Sequence, residues 1–231
     1  MITKSGSVTE FCFQISIRVR GAERSDAFRW WNDTDAKKGM VISNMGHPRL
    51  EKDIESILVS PEEIDGIVTR IARQIDEAYS DPDSRLILLC ILKGSVVFMG
   101  DLMKKLTIPV EIDFMKISSY GNSSASSGRV NIILDLNRKD LSSCDILIIE
   151  DIIDSGKTLS YLTEYLRLNG ARSVRSCTLL DKPSRREVDY NPDFVGAEIP
   201  DAFVVGYGLD YAEKYRALPY IGILKPEVYG E

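Results

Sequence analysis

Histidine is all but missing from this chain. His47 is the only one in 231 residues, and it reads as a solvated loop residue, so acid–base catalysis by histidine is not expected. Cysteine is scarce too. Cys12, Cys90, Cys144 and Cys177 show no CxxC or zinc-ligand spacing, and Cys90 and Cys177 fall in apolar, strand-like runs. Buried free thiols in a reducing, cytoplasmic setting are the simplest account. No apolar run is long enough to span a membrane, and no secretory h-region is present, so no membrane partner is expected. A basic excess is also lacking: 29 Lys and Arg against 35 Asp and Glu leave a net charge of −6, which argues against a nucleic-acid partner. Internal repeats are not evident. A hydrophobic content of 44% is enough for a real core, and 28% charged residues is ordinary for a soluble protein. The length suits one domain, or one domain with an appendage.

The two tryptophans stand together in Arg29-Trp30-Trp31, inside a stretch with neither helical periodicity nor a clear sheet pattern. Phe11 to Val19 could make one strand, and Asn32-Asp33-Thr34-Asp35 reads as loop. Residues 1–44 are therefore read as an extension or loosely docked arm, with a start at Met40 or Met45 as the sharper hypothesis. Residues 45–231 form the expected domain.

From Ser60 the pattern is regular. Ser60-Pro61-Glu62-Glu63 predicts a helix start, and Ile64, Ile67, Val68, Ile71, Ala72 and Ile75 recur at helical spacing to about Ala78. Arg85 to Leu92 predicts a buried strand, Val96 to Leu102 a helix, and Val110 to Phe114 a strand with one buried face. Ser118 to Gly128, SSYGNSSASSG, contains almost nothing to bury and reads as a mobile linker or a lid. Val130 to Leu134 and Val174 to Leu180 predict further strands, with a helix before the latter ending near Gly170. Strands alternating with helices imply an α/β fold, a mostly parallel sheet flanked by helices.

The chain is organised around Ile146 to Leu159, ILIIEDIIDSGKTL. Ile146-Leu147-Ile148-Ile149 reads as a strand buried on both faces, with Glu150 and Asp151 directly at its end, then Asp154. Ser155-Gly156-Lys157-Thr158 follows, and an amphipathic helix pattern begins. Glycine lets backbone approach a ligand, and N–H groups at a turn and helix start make an anion site. A nucleotide-triphosphate P-loop would need glycine five residues before Gly156, where Asp151 stands. An acidic turn with a good cap is the plain alternative, and it leaves the paired carboxylates unexplained.

EDIIDSGKTL closely resembles the phosphoribosyl-diphosphate (PRPP) signature of type I phosphoribosyltransferases, and within them the hypoxanthine-guanine branch, in its compact bacterial-like form. The resemblance extends over roughly Ile57 to Leu224 through four further segments: Leu92-Lys93-Gly94-Ser95, Ser119-Tyr120-Gly121, Leu180-Asp181-Lys182-Pro183, and Phe203 to Tyr211 with Arg216 beyond it. It implies that fold with a small base-binding hood, and a purine-salvage enzyme. That enzyme would transfer the phosphoribosyl group from PRPP to N9 of hypoxanthine or guanine, giving IMP or GMP and pyrophosphate. By the same resemblance Glu150 and Asp151 would hold the ribose hydroxyls and a hydrated Mg²⁺, and Asp154 would take the proton at purine N7. Asp154, Ser155, Gly156, Lys157, Thr158 and Leu159 would bind the 5′-phosphate. Lys93 and Gly94, preceded by a cis Leu92–Lys93 peptide, would bind pyrophosphate with Arg216. Ser119 and Tyr120 would belong to a catalytic lid that excludes water. Lys182 would read purine O6, Phe203 would stack on the base, Val204 would offer backbone hydrogen bonds, and Asp210 would help hold a second Mg²⁺. A homodimer or homotetramer is implied as well.

Two alternatives stay open at this stage. One is a sister phosphoribosyltransferase preferring xanthine. The other is a PRPP-sensing purine regulator without catalysis, which would need a DNA-binding module that residues 1–44 do not suggest.

Overall fold

The structure, a computed structural model, describes residues 48–81, 83–119, 130–136, 138 and 140–230, all within one compact unit, Gly46–Glu231. In chain order these residues form α1 (Pro48–Glu51), β1 (Ile54–Val59), α2 (Pro61–Ala78), β2 (Leu86–Leu92), α3 (Val96–Lys105), β3 (Val110–Ser119), β4 (Val130–Leu134) and β5 (Asp145–Ile153). There follow α4 (Lys157–Leu168), β6 (Ser173–Asp181), β7 (Phe194–Glu198), β8 (Val204–Val205), β9 (Ile221–Leu224) and α5 (Pro226–Tyr229).

Helix α2 begins where the capping signature places it. Glu63 N–H donates to Ser60 Oγ (3.2 Å) and Ser60 N–H donates back to Glu63 Oε2 (2.8 Å), satisfying two donors at the helix start. The main sheet has strand order β4-β3-β2-β5-β6-β7, parallel throughout except for the antiparallel edge strand β4. Strand β5 lies near its centre, and its apolar run explains why. Leu147 and Ile149 enter the core built with α2 and α3, with Val68, Ile71 and Phe98. Ile146 and Ile148 enter the opposite core, with Leu159, Leu162 and Leu166 of α4. A strand with helices on both faces needs apolar residues at every position. Cys90, Cys144 and Cys177 are free and buried. Among the described residues no helix is long and apolar enough to cross a membrane.

One expectation needs correcting. Strand β5 does not stop at Ile149 but continues to Ile153, so Glu150 and Asp151 lie within it. Pairing with β2 reaches Cys90↔Ile149, whereas pairing with β6 runs on through Glu150↔Thr178 to Ile153↔Asp181. The two acids therefore sit where β5 keeps one neighbour by hydrogen bonding and has left the other.

Strands β2 and β5 also bound the switch point of the sheet: the chain leaves β2 toward β3 on one side and β5 toward β6 on the other. The carboxyl ends of two such strands open a crevice where α/β sheets take their ligands. A second, antiparallel sheet of order β1-β9-β8 carries Val204 in β8, directly after Phe203, the segment expected in the hood.

Candidate active site

Two turns meet at the crevice. At the end of β2 the Leu92–Lys93 peptide is cis, and Gly94 and Ser95 follow before α3. Ser95 is fully buried and its Oγ accepts from Asp151 N–H (3.1 Å), tying this turn to β5. Gly94 has to be glycine: a β-carbon there would fall 1.5 Å from Asp151 Oδ2. Gly208, from the segment after β8, closes on the same point, since a β-carbon on it would lie 2.1 Å from the Gly94 carbonyl oxygen. The Gly208 segment thus packs on the Gly94 turn, which in turn packs on the Asp151 carboxylate.

The electrostatics of Glu150 and Asp151 are unfavourable to their charged forms. Burial, and next the charge of Asp151, push the Glu150 carboxyl well above the usual range. Its Oε2 is shielded from solvent and has no hydrogen-bond partner among the described residues. Asp151 is raised to about 6, chiefly by burial. Two neighbouring hard-oxygen donors, one of them orphaned, fit a divalent cation that would restore their charge. Among the described residues no group of three or more His, Cys, Asp or Glu could hold a metal, so such a cation would complete its shell from ligand oxygens and water.

Arg216 supplies the opposite charge. Its Nη1 donates to the Gly208 carbonyl (2.7 Å) and its Nη2 pairs with Asp210 Oδ1 (2.7 Å) and, more distantly, Glu213 Oε2 (3.4 Å). The shielded Nε has no partner among the described residues, which leaves a donor for an anion. Lys93 reaches into the same group, its Nζ 2.9 Å from Glu213 Oε1. Glu213 and Ala212 both adopt positive φ, a conformation that clusters at functional sites.

On the other side of β5, Gly156 (φ +81°) caps α4, and Ser160 N–H donates to its carbonyl (3.0 Å). Lys157 pairs with Glu187, and the Leu159 side chain is buried in the core, so any ligand contact by Leu159 is through its backbone. A cavity of about 740 Å³ opens next to this turn, lined by Ile152, Asp154, Lys182, Phe203, Val204, Asp210 and others. Lys182 is buried, with its Nζ 3.9 Å from Asp154 Oδ1. Phe203 presents its ring to the cavity with 38% of its surface exposed.

The structure therefore brings together Asp154, Lys182, Phe203, Val204 and Asp210 around one cavity, and Gly94 and Asp151 against Gly208 beside Arg216. Ser119 ends β3, and Tyr120 with the rest of the lid segment to 129 lies outside the described residues. Sequence reasoning assigned no individual role to Ser95 or Gly208, which lie within segments of the resemblance, and missed Arg186. Arg186 donates through Nη1 to the Asp154 carbonyl and through Nη2 to the Asp181 carboxylate, joining the β5 turn to the lysine turn. In SRRE nothing separates it from its neighbour Arg185, which is exposed; only the fold does.

Known proteins resemble this chain over most of its length. The family model described as "Phosphoribosyl transferase domain" matches residues 54–212. The hypoxanthine-guanine phosphoribosyltransferase of Bacillus subtilis is 54% identical over 180 residues, covering 78% of this chain and 98% of that protein. The hypoxanthine phosphoribosyltransferase of Salmonella typhimurium is 48% identical, covering 74% and 96%. The crystal structure of a hypoxanthine phosphoribosyltransferase from Staphylococcus aureus superimposes with a TM-score of 0.76 at 45% identity, covering 81% of this chain and all of that one.

Proposed function

We infer the function from this premise: the chain belongs to the phosphoribosyltransferase family, in its hypoxanthine-guanine branch, and is an enzyme of purine salvage. It transfers the 5-phosphoribosyl group of PRPP to N9 of hypoxanthine or guanine, giving the nucleoside monophosphate and pyrophosphate. The observation that carries the base assignment is the buried Lys182 ammonium set 3.9 Å from the Asp154 carboxylate in a cavity that also exposes Phe203. O6 and N7 are neighbours on one edge of a 6-oxopurine. A cation there donates to O6, and a carboxylate beside it accepts the proton that N7 loses as N9 attacks C1 of the ribose. Adenine would turn a 6-amino donor toward the ammonium and be rejected.

The remaining roles are part of the same proposal. Phe203 stacks on the base, and Val204 offers backbone groups to its edge. The Asp154 to Leu159 turn receives the 5′-phosphate on backbone N–H groups and hydroxyls at the start of α4. Glu150 and Asp151 hold the ribose hydroxyls, and the Arg216 Nε, Lys93 and the Gly94 backbone receive the diphosphate. The lid segment with Ser119 and Tyr120 excludes water while the ribose carries positive charge. Mg²⁺, when bound, would neutralise the diphosphate; Glu150 and Asp151 would hold one ion and Asp210 a second, with ligand oxygens and water completing each shell. Most of the rate comes from positioning and from charge stabilisation.

A homodimer or homotetramer is part of this reading. It is supported by the exposed apolar side chains of Val96, Val97 and Met103 on α3, and light scattering tests it. A cytoplasmic setting is supported by the three free, buried thiols.

The deciding experiment is a spectrophotometric assay with PRPP and Mg²⁺ against hypoxanthine, guanine, xanthine and adenine in parallel. Turnover of 6-oxopurines without adenine is expected. Measurable PRPP binding with no turnover of any base would favour a sensor instead.

A further inference from the structure

Two aromatic rings, Phe203 and Tyr229, line the hood side of the base cavity, and a third, Tyr211, packs against both. Phe203 and Tyr229 are stacked, with centroids 4.8 Å apart and planes 21° from parallel. Tyr211 meets Phe203 edge-on at 5.5 Å and Tyr229 at 6.5 Å. Two rings at stacking distance leave no space between them for a planar base, which would need a second stacking interval. A base on Phe203 therefore uses the ring's other face, and Tyr229 becomes the outer layer of a three-layer stack.

The chain takes care to put Tyr229 there. Lys225 N–H donates to the Asp53 carbonyl (3.0 Å), Lys225 Nζ to the Lys52 carbonyl (2.7 Å), and Leu224 N–H to the Phe203 carbonyl (2.9 Å). Val228 and Tyr229 then pack on the small core of Val205, Leu218 and Leu224. Helix α5 is thus fastened to the sheet that carries Phe203. Phe203, by contrast, is more than a third exposed and would be free to turn about its side-chain bonds without neighbours.

We propose that Tyr229 is a positioning residue for the purine: its ring, with Tyr211 at the edge, holds the plane of Phe203 at the angle the base needs. This rests on the assignment of Phe203 as the base platform. Because Tyr229 stacks on Phe203 and lines the base cavity, base affinity is expected to depend on it while the chemistry and PRPP binding do not.

Steady-state kinetics on Tyr229→Ala, Tyr229→Leu, Tyr229→Phe and Phe203→Ala test this. Tyr229→Leu keeps apolar bulk on the Val205 core, so it guards against a folding failure in the alanine variant. Loss of one aromatic pair corresponds to roughly a two- to tenfold rise in KM for hypoxanthine and guanine in the Ala and Leu variants. Unchanged kcat and PRPP KM are expected alongside, with base KM restored in Tyr229→Phe. A lowered or unchanged base KM, or a parallel change in kcat and both KM values, overturns the proposal. If Phe203→Ala leaves base KM unchanged, the platform assignment itself fails. If Phe203→Ala raises it while Tyr229→Leu does not, only the role of Tyr229 fails.

Discussion

A β-carbon at Gly94 has nowhere to go, because Asp151 Oδ2 would lie 1.5 Å from it and the Gly208 backbone packs close by. Gly94→Ala is thus expected to displace Asp151 and lower kcat/KM for PRPP by on the order of a hundredfold, the cost of a misplacement of about 1 Å. The check is kinetic, with circular dichroism to show that the fold survives. Asp154 poses a different question. Its carbonyl is held by Arg186 and its carboxylate faces Lys182, so Asp154→Asn keeps the turn and removes the proton acceptor. A drop in kcat of about 10²- to 10⁴-fold with PRPP affinity largely kept is the expected result; wild-type turnover would refute the assignment. Lys182→Ala should weaken discrimination between guanine and adenine more than PRPP affinity, and unchanged KM values for both bases would count against it.

Among the elements, β5 is anchored at its start as carefully as its end is armed. Asp145 accepts from Arg172, from Ser173 Oγ (2.7 Å) and from Ser84 Oγ (2.7 Å), and these bonds, Arg172 first, hold its carboxyl down to about 2. A depressed acid contributes stability above its unfolded value, near 4, and loses it as pH falls through about 2. Asp145→Asn is expected to cost about 2 kcal/mol at pH 7, and the gap to the unmutated protein should narrow between pH 4 and pH 2, as read by denaturant unfolding. How far such elements can be read in advance depends on where their cause lies. The Ser60 capping box and the LILLCIL run are local, and both are found as expected; α4 ends at Leu168, with Asn169 as its cap, one residue before Gly170. The extension of β5 past Ile149 is not local. It comes from pairing with β6, and DII alone reads as a turn. Strands β1, β8 and β9 are short and find partners far along the chain, so no window of sequence announces them. At the site, the ligand turn was legible because EDIIDSGKTL resembles a family signature; glycine and carboxylates near a strand end would by themselves have left an acidic capped turn open. Ser95, Arg186 and Gly208 were not, because their roles exist only once two distant turns touch.

For the molecule as a whole, the described acids form no closed cage for a metal. Mg²⁺ alone is therefore expected to raise the melting temperature hardly at all, whereas PRPP with Mg²⁺ at a hundred times the dissociation constant should add about 2.7 kcal/mol. Differential scanning fluorimetry with each component separately and together would show it; a full shift from Mg²⁺ alone would mean that the protein binds the ion without substrate. The hood also has an unusual pedigree. Its strand β1 spans Ile54–Val59, and its partner β9 spans Ile221–Leu224. On a ribosome β1 leaves the exit tunnel early and waits while the rest of the sheet is made, roughly 10–30 s at ordinary elongation rates. The phosphate-binding turn of β5 can form during that wait, but the base-binding wall cannot. Each newly made molecule would therefore acquire a place for the sugar phosphate before it acquires a place for the purine.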